Sequence, residues 1–248
     1  MRDIKTEGFI LKRIPYQNEN VKLFSVFTKD FGKITLSSRT SKKIQSSLNS
    51  LSPLNICEIE IYKSSTGFFK AKKITLKKSF IEIQELEILQ KLYVMAEVIH
   101  KIIEENHPEP LLYELLIKSA LILEHIHSDL IFETFKTKFF KISGTLPNLK
   151  YCFTCQTKSS DDANWITHDN VHIYCQKCLE SLMTDSKYSQ ISLHALKLLH
   201  FIADASLDKI TQLHAPMSTI QEVAHINELL LNQLLQKKLQ TQTHALTN

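Results

Sequence analysis

Four of the five cysteines in this chain form two CxxC pairs, Cys152 with Cys155 and Cys175 with Cys178, and nineteen residues separate the pairs. Two thiolates in one CxxC turn can hold a metal ion, and a second pair across a hairpin completes a tetrahedron. The spacing therefore predicts a zinc site with one Zn²⁺ per chain. Because all four positions are cysteine, no coordination position remains for water or a substrate, so we expect the ion to be structural.

The alternatives for these cysteines are disulfide bonds and a redox-active dithiol. Disulfides require an oxidising compartment, but the N-terminal residues lack an apolar segment of signal-peptide length and no run of about 18 apolar residues could span a membrane. We therefore expect a cytoplasmic protein with reduced thiols and no membrane partner. A redox dithiol is typical of one CxxC beside a βαβ unit, whereas this motif is doubled. His168 and His172 lie between the pairs and are interpreted as solvated loop residues.

Charge is unevenly distributed along the chain. Residues 1–80 contain 16 Lys or Arg against 6 Asp or Glu, whereas residues 81–248 contain 14 against 20. Such an asymmetry favours a polyanionic partner for the first segment, nucleic acid above all, and a different kind of partner for the rest. A solvated charged face is the alternative interpretation.

The basic segment has the pattern of a small β domain. Five β-rich runs are separated by turn residues, at Glu7–Arg13, Val21–Thr28, Ile34–Ser38, Ile56–Tyr62 and Phe68–Lys78. Five short strands with one long polar loop predict a closed barrel of the OB-fold type, and such barrels often bind single strands through a basic groove with aromatic platforms. Of Phe68 and Phe69, one is predicted to lie in the core and the other is a candidate for base stacking. Cys57 is interpreted as a buried strand thiol.

Eleven cations of this segment are the candidate nucleic-acid-binding residues. They lie at the end of the first strand, after the turn, in the long loop and along the last strand: Lys12, Arg13, Lys33, Arg39, Lys42, Lys43, Lys70, Lys72, Lys73, Lys77 and Lys78. Because side chains alternate along a strand, Lys70, Lys72 and Lys78 are predicted on one face of the last strand, and Lys73 and Lys77 on the other. We therefore expect some of them to be solvated only.

After Phe80 the apolar residues recur at helical spacing. Helices are predicted over Ile83–Ile103, Leu111–Glu124, residues 129–143, Ile191–Ala203 and Thr219–Leu239. Ser128 or Asp129 is the predicted cap of the third helix and Gly144 its left-handed C-terminal position. The predicted fold class is α+β: an OB-fold barrel over residues 1–80, then an α-helical domain over residues 81–248 with a zinc-ribbon-like insertion at about 148–182. The tail from Thr241 is predicted to be frayed.

The sequence contains no motif of a known catalytic centre. The four glycines, at positions 8, 32, 67 and 144, never cluster, so neither a GxxxxGK[ST] loop nor a GxGxxG turn can cradle phosphates. HExxH and GxSxG are also missing. We therefore expect a binding protein without catalytic residues rather than an enzyme.

Several stretches resemble the RecO family of bacterial DNA repair proteins. Residues 144–155, which read GTLPNLKYCFTC, resemble that family's junction between helix and zinc unit, and residues 7–13, 23–28 and 67–80 are similar to its barrel strands. The resemblance covers nearly the whole chain. It departs at the C-terminus, where the family commonly has a basic turn and a Lys-Ser pair and this chain has QTQT at residues 240–243.

The resemblance implies a recombination mediator that acts on the nucleoid. RecO proteins bind single- and double-stranded DNA, anneal complementary strands, associate with RecR and bind the acidic C-terminal tail of single-strand DNA-binding protein, which helps RecA load onto coated DNA. Two other functions remain open: a zinc-braced protein adaptor that does not bind DNA, and an RNA-modifying enzyme that uses the zinc unit as a clamp. Residues 156–174 contain one lysine against three aspartates, so we do not expect the zinc unit itself to bind DNA.

Overall fold

A computed structural model describes residues 4–17, 21–39, 50–63, 69–126, 128–160, 164–181 and 187–246. The chain forms two compact units, residues 1–127 and residues 128–248. The first unit contains the barrel and two helices. The second contains the remaining helices and the cysteine-bearing segment. The fold class is α+β, as predicted.

Five strands form the barrel of the first unit. They are β1 (Ile4–Ile14), β2 (Val21–Thr28), β3 (Gly32–Arg39), β4 (Asn55–Lys63) and β5 (Phe69–Ser79). Their order around the closed barrel is β1-β2-β3-β5-β4, and β4 pairs back with β1. Neighbours are antiparallel except β3 and β5, which are parallel. This order is that of the OB-fold, which the sequence predicted.

Alternate residues of the strands fill the barrel interior. The core contains Ile10, Phe24, Val26, Ile34, Leu36, Leu51, Cys57, Ile59, Ile61 and Phe69. Cys57 is completely buried, and this burial raises the pKa of its thiol to about 12. It is therefore an inert core residue, as predicted. Phe69 is the core member of the aromatic pair and packs against Phe31 with ring centroids 5.6 Å apart, whereas Phe68 lies outside the described residues.

The turn between β2 and β3 requires glycine for two reasons. Gly32 has a φ of +68°, and a Cβ at this position would lie 1.8 Å from the carbonyl oxygen of His107. The hydroxyl of Thr28 fixes the turn by donating to the Gly32 carbonyl at 2.8 Å and accepting from the Phe31 amide at 3.1 Å. The close approach attaches the segment after the next helix to the barrel.

Two helices cover the outer side of β1, β2 and β3. Helix α1 spans Leu86–Ile102 and α2 spans Pro110–His125. The ring of His100 lies 2.9 Å from Ser25 Oγ through Nδ1, and the aromatic rings of Tyr113 and Phe27 are 5.8 Å apart. Strand β2 is consequently buried on both of its faces over its last six residues.

Three helices form the main body of the second unit. Helices α3 (Asp129–Ile142), α5 (Leu193–Asp204) and α7 (Met217–Leu246) contact one another pairwise, and α6 (Leu207–Ile210) is a short turn between the last two. Ser128 Oγ accepts from the Ile131 amide at 3.3 Å, and Gly144 has a φ of +68°. The predicted N-cap and left-handed C-terminal position of α3 are therefore confirmed.

The cysteine-bearing segment is inserted between α3 and α5. Strands β6 (Asn164–Thr167), β7 (Ile173–Cys175) and β8 (Tyr188–Ile191) form a sheet in the order β7-β6-β8, and helix α4 (Gln176–Glu180) follows β7. The sequence did not predict β8. Its four residues are too few to show a period, and Ile191, predicted to begin a helix, instead ends this strand before the Ser192 cap.

The last helix is longer than predicted. Helix α7 continues to Leu246, whereas the sequence predicted an end at Leu239 and a frayed tail from Thr241. Residues 240–246 contain neither glycine nor proline, so no residue in them stops a helix. In the part of the chain that the structure describes, no helix combines the length and the apolar character that a membrane crossing requires.

Candidate metal centre and basic barrel face

The structure brings all four predicted cysteines together. The Sγ atoms of Cys152, Cys155, Cys175 and Cys178 all lie within 4.8 Å of one another. Those of Cys155 and Cys175 are 3.8 Å apart. A tetrahedral thiolate site with metal–sulfur distances of about 2.3 Å has sulfur–sulfur edges of about 3.8 Å. The cluster therefore has the size of a tetrahedral site that can hold one metal ion.

Each CxxC pair lies at a turn that the backbone holds in place. In the first turn, the amide of Gln156 donates to the carbonyl of Cys152 at 3.0 Å, and Gln156 adopts a φ of +58°. The amide of Phe153 donates to the Ile173 carbonyl at 2.7 Å, which ties this turn to β7. The second pair begins at the last residue of β7, where the Cys175 amide donates to Cys152 Sγ at 3.4 Å. The β6–β7 hairpin thus sets the distance between the two pairs.

The protonation of the thiols also fits a bound cation. Hydrogen bonds from Thr157 lower the pKa of Cys155 to about 6. Hydrogen bonds with Cys175 and Cys155 raise the pKa of Cys178 to about 12, because the thiols of the cluster share protons. Four thiolates this close repel one another unless a metal ion replaces the protons. The donor set is therefore suited to a soft or borderline divalent metal.

The two histidines between the pairs do not join the cluster. The ring of His172 stacks on Phe153 with centroids 3.9 Å apart and an interplanar angle of 7°. His168 Nε2 lies 2.8 Å from Ser189 Oγ. Among the described residues, the group that could hold a metal consists of the four cysteines.

The lysines of β5 do not follow simple alternation. Glu60 pairs with Lys73 and Tyr62 with Lys70, although Lys70 and Lys73 are three residues apart. The register shifts between Glu60 and Ile61, so that Lys72 is an extra residue in a bulge, and a second shift makes Lys77 an extra residue. Because Ile59 and Ile61 point into the core, Lys70 and Lys73 both lie on the outer side of the barrel. The predicted division of these lysines between two faces is therefore wrong.

A mainly positive surface results on the outer side of β1, β4 and β5. We call it the basic barrel face; it comprises Lys5, Lys70, Lys72, Lys73 and Lys77, together with Glu58 and Glu60. Lys5 Nζ lies 3.8 Å from a Glu58 oxygen and 3.6 Å from a Glu60 oxygen, and Lys77 Nζ lies 3.6 Å from Glu58. The sequence analysis missed Lys5, although its position on β1 opposite Glu60 places it on this face.

The other predicted cations lie in different environments. Lys33 is only 8% exposed and its Nζ donates to the carbonyl of His100 at 2.7 Å, so it holds α1 on the barrel and we leave it out of the basic barrel face. Lys78 pairs with Glu124 at 2.7 Å. Lys12 and Arg13 are exposed near the end of β1. Lys42 and Lys43 lie outside the described residues, and of Arg39 only the backbone is described.

The usual oligonucleotide surface of an OB-fold is covered in this protein. That surface is the outer face of strands 2 and 3. Here Ser25 of β2 contacts His100 of α1, and Thr35 of β3 donates to Glu105 at 2.8 Å. A ligand of this barrel must therefore bind elsewhere, and the exposed basic barrel face lies on the side of β1, β4 and β5.

Fold and site together define a class of protein: an OB-fold barrel followed by a helical region into which a four-cysteine metal site is inserted. Two family models match the chain, "Recombination protein O N terminal" over residues 1–80 and "Recombination protein O C terminal" over residues 85–243. The chain therefore belongs to the RecO family, whose members act in DNA repair and recombination.

Curated relatives agree with this assignment. "DNA repair protein RecO" of Bacillus pumilus is 28% identical over 225 residues, which cover 90% of this chain and 86% of that protein. The protein of the same name from Caldicellulosiruptor bescii is 25% identical over 240 residues, or 96% of this chain and 95% of the relative. That of Listeria monocytogenes is 26% identical over 209 residues, or 83% of this chain and 79% of the relative.

Proposed function

We propose that this protein is a recombination mediator that binds single- and double-stranded DNA through the basic barrel face. The observation that carries the proposal is the charge of this face, where five lysines outnumber two glutamates on adjacent strands. Phosphate contacts made by such a surface are independent of base sequence. The face can therefore hold strands of any sequence while they are exchanged or annealed.

The ion pairs of this face make its DNA contacts exchangeable. Lys5 and Lys77 have 62% and 48% exposed side chains and pair with glutamates at 3.6–3.8 Å. Exposed pairs of this kind contribute about 1 kcal/mol or less. Each lysine can consequently leave its glutamate for a phosphate at little cost, and the strand can be released again as easily. Reversible binding of this kind suits annealing.

The partners of the proposed mediator are proteins of the same process. We propose that it associates with RecR and binds the acidic C-terminal tail of single-strand DNA-binding protein, so that RecA loads onto the exposed strand. Its place of action is then the nucleoid in the cytoplasm. The proposal requires no catalytic residue, since the chemistry of strand exchange is carried out by RecA.

The metal of the cysteine cluster is proposed to be one structural Zn²⁺ per chain. Cysteine sulfur is the typical ligand of structural zinc, and four protein ligands leave no position for a reacting group. When bound, the ion supplies cross-linking of the two CxxC turns. The backbone contacts of Phe153 and Cys175 then align the hairpin on this anchor.

A salt titration of DNA affinity tests the DNA-binding proposal. The affinity for a labelled single strand should fall linearly on a log–log plot against salt, with a slope of roughly −0.7 for each phosphate contact. The variant Lys73→Glu should bind more weakly to all sequences and lose about one unit of slope. The matched control is Lys118→Glu, an exposed lysine of α2 that also has a glutamate partner, Glu114 at 3.3 Å; it should leave the slope unchanged.

Other results would point to the other two functions. If the wild-type protein binds no DNA at low salt, the mediator proposal fails in favour of a protein adaptor. If labelled nucleic acid is covalently altered by the protein alone, an enzyme of nucleic-acid modification replaces both. If Lys118→Glu weakens binding as much as Lys73→Glu, DNA is bound but the basic barrel face is not its site.

A further inference from the structure

A cleft lies in the first unit between β1, the segment before β4 and helix α1. Its volume is about 280 Å³ and it is lined by Leu11, Lys12, Pro53, Tyr93, Glu97 and His100. Small-molecule sites begin at roughly 300 Å³, so the cleft has room for one planar ring system. It is separate from the four-cysteine cluster and shares no residue with the basic barrel face.

Local structure brings the polar lining residues to one place. Tyr93, Glu97 and His100 are spaced at i, i+4 and i+7 on α1 and so share one side of the helix. On β1 the pairing with β2 shifts between Ile10 and Lys12, which makes Leu11 an extra residue. Bulges of this kind redirect a side chain. This one leaves Leu11 buried and Lys12 exposed at the cleft.

Each lining group has a defined chemical character. A hydrogen bond from Lys101 to Glu97, with the two charged atoms 2.8 Å apart, lowers the pKa of Glu97, so this side chain is an ionised acceptor. Burial lowers the pKa of His100 and keeps the ring neutral; Ser25 occupies Nδ1, which leaves Nε2 for a ligand. Tyr93 is 47% exposed and offers a ring face, and Lys12 supplies a cation.

This combination selects among ligand classes. The carboxylate of Glu97 disfavours an anionic group inside the cleft, and the polar lining disfavours a purely apolar ligand. A nucleotide suits all four groups: an aromatic ring for stacking, an acceptor for its N–H groups and a cation for its phosphate. Guanine matches the acceptor best because its N1–H and N2–H donors are adjacent and can both meet one carboxylate. Thymine instead presents a single N–H between two carbonyl oxygens.

We propose that the cleft holds one unpaired base of a bound single strand, with guanine preferred, through stacking on Tyr93, hydrogen bonds to Glu97 and a phosphate contact with Lys12. The inference rests on the proposed single-strand binding and adds a base-selective position to it. Such a position would pause the protein at guanine-containing sites while the basic barrel face binds without selection.

The test compares two labelled strands, an oligothymidylate and the same strand with one central guanine. We expect the wild-type protein to bind the second about tenfold more tightly, the usual size of discrimination from a bidentate base contact. Glu97→Gln should abolish this ratio and leave the oligothymidylate affinity unchanged. The control is Glu87→Gln on the same helix, because Glu87 pairs with a lysine four residues later just as Glu97 does; it should keep the ratio.

A second variant separates the phosphate contact from the base contact. Lys12→Ala should weaken binding of both strands by the same factor and keep the ratio. Equal affinity of the wild-type protein for the two strands would overturn the cleft proposal while DNA binding stands. No binding of either strand would overturn the proposed function itself. A guanine preference that survives in Glu97→Gln would place the selective site outside this cleft.

Discussion

Substitution of Asn227 by leucine should destabilise the second unit strongly. Asn227 is fully buried on α7, and its Nδ2 donates to Glu133 Oε2 at 2.8 Å and to the Glu133 carbonyl at 3.1 Å. Thr137 Oγ1 lies 3.1 Å from both amide atoms. Glu133 itself is 4% exposed and pairs with Lys136 at 2.8 Å. The amide thus satisfies one oxygen of a buried carboxylate.

The cost follows from the groups left without partners. A hydrogen bond to a charged group is worth about 1.5–3 kcal/mol, and an unsatisfied buried group adds about 1–3 kcal/mol. Leucine has nearly the same volume as asparagine and recovers part of the loss by burying apolar surface. We therefore expect Asn227→Leu to lower the free energy of unfolding by about 3 kcal/mol. Thr137→Val removes only the neutral hydroxyl and should cost about 1 kcal/mol.

The loss should depend on pH in a predictable direction. Burial raises the pKa of Glu133, and Lys136 and Asn227 oppose this shift. A carboxyl whose folded-state pKa exceeds its unfolded value contributes stability below the unfolded pKa and loses it as pH rises through the folded pKa. Asn227→Leu removes one opposing contact and raises this pKa further. Its deficit relative to the wild type should therefore be largest at neutral pH and shrink toward the unfolded-state pKa of the carboxyl, whereas Thr137→Val should show no such trend.

Urea denaturation followed by the emission of Trp165 measures these changes. Trp165 is the one tryptophan of the chain and lies on β6 of the same unit. A deficit below about 1 kcal/mol, or one that is equal at acidic and neutral pH, would refute the assignment of Asn227 as the partner of an ionised, buried Glu133.

Two further predictions concern a turn and the metal site. Gly32→Ala should destabilise the first unit more than Gly144→Ala destabilises the second, because both glycines have a φ of +68° but only a Cβ at Gly32 meets backbone, at 1.8 Å. The left-handed conformation alone costs about 1–2 kcal/mol, and thermal unfolding with circular dichroism would contradict the contact if the two losses were equal. Elemental analysis of protein purified under reducing conditions should give about one zinc per chain; Cys155→Ser should lose it and Cys57→Ala should keep it. Zinc retained in Cys155→Ser would exclude the four-cysteine site.

The sequence predicted those parts of the fold that depend on local periodicity or on strict spacing. Strand alternation in Ile56–Tyr62 led to β4, Ser128 and Gly144 marked the ends of α3, and the CxxC spacing identified the four cysteines that the structure gathers. Each of these signals is contained within a few residues of chain or in residue types that have few other uses. The division into domains at residue 80 stays a prediction.

The positions of the barrel cations could not be predicted because they depend on pairing between distant segments. Alternation along β5 alone assigned Lys70 and Lys73 to opposite faces, but the shift opposite Glu60 brings them to the same side. A bulge is a property of two strands and leaves no mark in the sequence of one of them. The burial of Lys33 has the same origin, since its acceptor is a carbonyl oxygen of a helix that begins some fifty residues later.

The covering of β2 and β3 by helices changes what the OB-fold implies about binding. Charge and strand count alone favour the groove that many OB barrels use, yet here Ser25, Thr35 and Lys33 of that face are bonded to α1 and the segment after it. Because these contacts satisfy buried polar groups, exposing this face to a strand would require breaking all three at a cost of about 1–3 kcal/mol each. Binding is therefore cheaper on β1, β4 and β5, where the ion pairs of Lys5 and Lys77 are exposed and weak. The same covering helix supplies Tyr93 and Glu97, so the element that closes the usual groove forms the wall of the cleft beside it.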